Sequence, residues 1–121
     1  MGALDFLKTI LETREMHSIE GLRTHYYKTN YTKVKEWVLN YVKSVDYTTK
    51  TIDDTHGEIY LQGKKSHIIV SIVQVTPVET AVDLKVQYYG LIGWNKPKKT
   101  IQEVYDYLDQ KLPFKGISLH P

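Results

Sequence analysis

Two neighbouring runs of the chain carry opposite hydrophobic patterns. In the second, Val82, Leu84, Val86 and Tyr88 alternate with Asp83, Lys85 and Gln87. That is the period-two pattern of a strand with one face buried. In the first, apolar residues fall on both faces: Ile68, Val70 and Ile72 on one, Ile69, Val73 and Val75 on the other. A strand apolar on both sides requires cover on both sides. Helices over the Val70 face supply one cover. The other cover is open to three readings: the chain's own N-terminal segment, a second copy, or a ligand.

Elsewhere the period is helical or turn-like. Leu4, Leu7 and Leu11, flanked by Phe6 and Ile10, predict an amphipathic helix over residues 3–15. Residues 22–29 predict a strand. Asn30 is a suitable N-cap, and Val34, Trp37, Val38, Tyr41 and Val42 then follow at i, i+3, i+4, i+7 and i+8. Residues 47–52 and 58–62 predict two strands joined by a turn at Asp53–Gly57. A loop over 90–99 leads to a last helix from Pro97, with Ile101, Val104, Tyr105, Leu108 and Leu112 as its stripe and Pro113 as its stop. The tail FKGISLHP either adds a short strand or packs down.

The elements therefore run α–β–α–β–β–β–β–α. Four successive hairpin-linked strands imply an antiparallel sheet. The expected fold class is α+β: a five-stranded curved antiparallel sheet with two helices on one face (β-α-β-β-β-β-α), plus the extra N-terminal helix. One domain spans 1–121, with its core over 22–112 and the 3–15 helix appended. Over 22–112 this order resembles the TATA-binding-protein-like fold and a trimmed helix-grip fold of the START or Bet v 1 type. The segments VQVTPVETAVDLKV and YLDQKLPFKG are also similar to small uncharacterised bacterial cytosolic proteins of this architecture, a resemblance that brings no established activity. A fold of this kind presents the helix-free sheet face as a concave working surface.

Composition narrows the chemistry. The 121 residues include no cysteine, which excludes disulfides, thiolate metal sites and cysteine nucleophiles. A net charge of +2 spread along the chain gives no footprint for nucleic acid. No apolar run approaches the roughly 20 residues of a membrane span. Asp5 interrupts the first apolar stretch, so no signal peptide is expected and the cytoplasm is the default location. Gly90 and Gly93 lack phosphate-loop spacing, no serine sits in a nucleophile elbow, and no cofactor is expected.

Asp53, Asp54 and His56 are types that a polar hairpin turn uses, which accounts for them without a metal. His25 and His67 can face each other across the sheet, but a zinc pair would lack a third ligand. The loop Leu91–Lys99 sets Leu91, Ile92 and Trp94 beside Lys96, Lys98 and Lys99; local packing under the sheet edge is the preferred reading. The leading expectation is a non-enzymatic binding or interaction domain. It works through the sheet face of Tyr60, His67, Ile69, Val73, Val75, Lys85 and Tyr89, with Trp94 at the rim, as a homodimer or with a protein partner. The second is a carrier of a small apolar ligand between sheet and helices, lined by Trp37, Tyr41, Val70, Val86 and Tyr105. The third is an enzyme using His25 or His67. No catalytic, cofactor or metal residue is assigned.

Overall fold

Asn30 accepts a hydrogen bond from the Lys33 N–H at 3.0 Å and so starts the first helix, α1 (Tyr31–Lys43). The computed structural model describes residues 10–90 and 95–120. In chain order these form β1 (Ile10–Glu12), a 3₁₀ turn (Glu20–Leu22), β2 (His25–Tyr27), α1, β3 (Thr48–Asp53), β4 (Glu58–Gln62), β5 (Ser66–Thr76), β6 (Glu79–Tyr88), α2 (Asn95–Lys111) and β7 (Phe114–Ile117). All strand pairs are antiparallel, in the order β3-β4-β5-β6-β2-β7. The seventh strand, β1, pairs with β6.

One side of this sheet makes the core. Ile59, Leu61, Ile68, Val70, Ile72, Val82, Leu84 and Val86 are buried with Val34, Val38 and Tyr41 of α1 and Ile101, Val104 and Leu108 of α2. Each of the aliphatic side chains contributes about 1.5–3 kcal/mol on leaving water. The helical stripes read from the sequence thus meet the sheet face of Val70 and Leu84 as expected. α2 begins two residues before Pro97, which sits in the first turn, where a missing N–H costs nothing.

Two expectations need correction. The sheet has seven strands, and the helix over 3–15 does not extend through Ile10–Glu12, which is β1; residues 3–9 lie outside the described residues. Leu11 lies level with Val86 and enters the core on the helix side, so it does not cover the opposite face. Apolar residues at 4, 7, 10 and 11 fit a helix by spacing. The three residues that pair with β6 instead supply backbone partners to an edge otherwise left bare.

β1 and β2 are both short and lie end to end along β6: β2 against Thr80–Val82, β1 against Lys85–Gln87. Thr13 fills the gap between them. Its N–H donates to the Leu84 carbonyl at 2.8 Å, and its hydroxyl accepts from the Leu84 N–H at 2.9 Å. The same hydroxyl donates to Asp83 Oδ1 at 2.6 Å and lies 3.0 Å from the Tyr105 hydroxyl.

The tail seals half of the sheet's outer face. β7 extends the sheet beside β2, and the chain then turns back at Ser118, whose N–H donates to the Thr24 carbonyl. Leu119 occupies the space over Gly116, its Cδ2 2.8 Å from where a Cβ would stand. Lys115 (2.9 Å) and His120 (3.2 Å) both reach the Glu79 carboxylate. Tyr26, Ala81 and Glu79 are buried beneath this segment.

Candidate functional site

The other half of the outer face is open. Strand register places its residues in rows across the sheet. Asp53, Glu58, Ser71 and Asp83 form one row on β3 to β6. The next is Thr51, Tyr60, Ile69 and Lys85, ending at Glu12 of β1. A third runs Thr48, Gln62, His67 and Gln87. Lys50 stands at the register shift between Thr49 and Thr51, a bulge that turns it toward the His67 end. The face thus has a cationic side, with Lys50 and Lys85, next to an acidic row.

Two shallow grooves share Tyr60 and Ile69 at their boundary. One, of about 320 Å³, takes in Lys50, Gln62, His67 and Tyr89. The other, of about 440 Å³, takes in Glu58, Ser71, Asp83, Lys85 and Glu12. Tyr89 is held over the first by Gln62 Nε2 (2.7 Å) and by His67 Nδ1 (3.3 Å). Partial burial, with Lys50 and Lys85 nearby, lowers the His67 pKa below its ordinary value, so the ring is neutral at pH 7. Asp83 is pushed up by burial, against the pull of the Thr13 and Thr24 hydroxyls that donate to it. Lys50 and Lys85 have no salt-bridge partner among the described residues.

The structure therefore brings together Tyr60, His67, Ile69, Lys85 and Tyr89. Val73 (58% exposed) continues the same face toward the β5–β6 hairpin, and Val75, at the register shift between Gln74 and Thr76, is exposed beside it. Trp94 lies outside the described residues. The residues expected to line a carrier cavity lie on the core side of the sheet, away from this face. Val70, Val86 and Tyr105 are closed into the main core, and Trp37 packs at its margin against Tyr107, with the Lys111 ammonium 5.7 Å above its ring.

His25 and His67 do not face each other. His25 lies level with Val82 and points to the helix side, where its ring stacks on Tyr105 at 3.6 Å. Asp53 accepts from the His56 N–H at 3.1 Å and pairs with its ring at 2.8 Å within their own turn, as turn chemistry predicts, whereas Asp54 reaches out of the turn and accepts from Tyr31 and Lys35 of α1. Among the described residues no group of three or more His, Asp or Glu side chains could hold a metal ion, and no helix is long and apolar enough to cross a membrane.

Sequence reasoning missed two features of the site. One is the tail, whose Lys115 and His120 were legible as charges without any sign that Glu79 would receive both. The other is Asp109, which bonds His25 Nδ1 at 3.0 Å from 84 residues away. No family model, curated protein or solved structure matches this chain.

Proposed function

We propose that this protein is a binding module that pairs with a second copy of itself through the open half of its outer sheet face. One observation carries the reading: the face is charge-polarised along the strands and uncovered at its apolar end. A twofold axis lying between two stacked faces, and running across the strands midway between Ile69 and Ser71, superposes each row on its neighbour. Lys85 of one copy then meets Asp83 of the other, Tyr60 meets Glu58, and the His67–Tyr89 pair covers Val73. An isologous contact demands this kind of self-complementarity.

The edge strand β3 is a poorer contact. β3 is broken by its bulge and carries Lys50, both of which oppose edge-to-edge pairing. The open half measures about four strand spacings by eight residue rises, roughly 500 Å² per copy. That sits at the lower limit for a specific interface, so a weak dimer in the micromolar range is expected. The order of elements over residues 22–112 supports a likeness to the TATA-binding-protein-like fold, in which this same face would be the working surface.

Size-exclusion chromatography with light scattering, run as a concentration series, tests the reading. The mass should rise toward twice that of the chain. Val73→Asp and Lys85→Glu, both on the solvent side, should each weaken association about tenfold or more. A single-chain mass at every concentration, or a dimer indifferent to both changes, overturns it.

A further inference from the structure

We infer that the groove between the 3₁₀ turn and α2 is a binding site for an organic cation that donates N–H hydrogen bonds, with His25 Nε2 as its central acceptor. Asp109 anchors the ring. Its Oδ1 accepts from the Tyr27 hydroxyl at 2.7 Å and faces His25 Nδ1 at 3.0 Å. A carboxylate only accepts, so Nδ1 carries the proton, and the Nδ1–H tautomer has its lone pair at Nε2. The ring cannot turn away. It lies flat on Tyr105, with interplanar angle 4°, and Phe114 packs against it at 5.3 Å.

The His25 side chain is only 9% exposed, and Nε2 has no hydrogen bond among the described residues. Yet no sealed side-chain nitrogen or oxygen lacks a partner there. Nε2 is therefore reachable from solvent, and the way in is the groove of about 370 Å³ that His25 lines. The groove's other polar walls are Glu20, Gln102, Asp106 and Asp109. Glu20 and Asp106 have no cationic partner among the described residues. A fixed, recessed acceptor beneath unpaired carboxylates selects a positive charge that carries N–H donors. A planar guanidinium, with five N–H bonds in a fork, suits such a spread of acceptors. The site is on the helix side of the sheet and does not depend on the self-association face.

The probes are methylguanidinium and an arginine-containing tetrapeptide, read by nitrogen-15 NMR of the histidine ring nitrogens at pH 7.5. Both should shift His25 Nε2 saturably, up to tens of millimolar. A peptide that binds at least tenfold more tightly points to a protein side chain as the natural source; equal affinity points to a small molecule. Asp106→Asn and Glu20→Gln, both exposed and free of structural bonds, should each weaken binding about two- to fivefold. Tetramethylammonium has the charge but no donor and should leave Nε2 unmoved. No saturable shift with either probe, an equal shift with tetramethylammonium, or unchanged affinity in both variants overturns the assignment.

Discussion

Replacing Thr13 by Val tests how the interrupted edge of β6 is held. The two side chains have nearly the same shape, so the change removes a hydroxyl and little else. Three contacts end at that hydroxyl: the Leu84 N–H at 2.9 Å, Asp83 Oδ1 at 2.6 Å and the Tyr105 hydroxyl at 3.0 Å. Thr13 is buried, so water does not replace them. An unsatisfied buried N–H costs about 1–3 kcal/mol, and a lost bond to a charged acceptor about 1.5–3 kcal/mol. Burial of the new methyl returns roughly 0.8 kcal/mol. The net expectation is a loss of about 2–5 kcal/mol in urea unfolding, with the slope unchanged. Thr13→Ser keeps the hydroxyl and should cost about 1 kcal/mol for the missing methyl. The pH profile gives an independent sign. Asp83 titrates above its unfolded value in the folded protein, mainly through burial, so its contribution to stability falls as pH rises from below the unfolded pKa through the folded one. Removing a donor raises the folded pKa further and steepens that fall. A Val variant within about 0.5 kcal/mol of the parent, or a Ser variant as unstable as Val, refutes the account.

Gly57→Ala should destabilise the β3–β4 turn by more than about 2 kcal/mol, because φ is +69° and the new Cβ would lie 2.2 Å from the Ile72 carbonyl oxygen; a thermal melt matching the parent's would contradict this. Lys115 beside Glu79, aided by His120, holds the Glu79 carboxyl below its usual range, so the tail's anchorage is present above the unfolded pKa and is lost as pH falls through the folded one. Protection of the Ser118 amide, taken relative to its intrinsic exchange rate at each pH, should therefore fall on acidification, and Glu79→Gln should abolish that dependence; a pH-independent ratio of protection between parent and variant would refute it.

Local pattern carried most of the fold and little of its closure. The α1 and α2 stripes and the β3–β6 meander were legible because each has a strong period of its own. The bounds of β4 match the sequence reading, and those of β3 lie one residue away. β1 was not legible, because three residues have no period and their partners lie far along the chain, as Val86 does from Leu11. At β7 a short strand is one of two readings of the tail, and FKGI has no alternation that would decide between them. The faces of β2 are not separable by pattern for a related reason: HYY offers aromatic rings to both sides, and only the tail's return buries Tyr26 along with Tyr27. The two-faced pattern of β5 resolves differently along its length. Ile69 is half-covered by its neighbours on β4 and β6, while Val73 and Val75 remain exposed beyond the end of β4. A β-branched residue on an exposed strand satisfies local preference, so the sequence could not separate fit from function there.

Sorting the polar groups by whether folding already uses them separates framework from site. Thr13, Thr24, Asp83 and Tyr105 are chemically suggestive, and Asp83 has a raised pKa of the kind found in active sites. Their bonds nevertheless close among themselves and on the Val82 and Leu84 backbone, at the point where two short strands leave β6 unpaired. Structural need accounts for all four. Glu79, Lys115 and His120 are likewise consumed in holding the tail. Within the two surfaces described above, folding leaves unpaired Lys50 and Lys85 on the open outer face, and His25 Nε2, Glu20 and Asp106 in the helix-side groove; other exposed charges, such as Lys28, Lys64 and Glu103, also lack a partner among the described residues but belong to neither surface. The first group is cationic and faces its own complement on the same surface, which favours a second copy. The second is anionic around a fixed lone pair, which favours a cation. Because the two groups have opposite sign and lie on opposite faces, a single ligand cannot explain both, and each stands or falls on its own measurement.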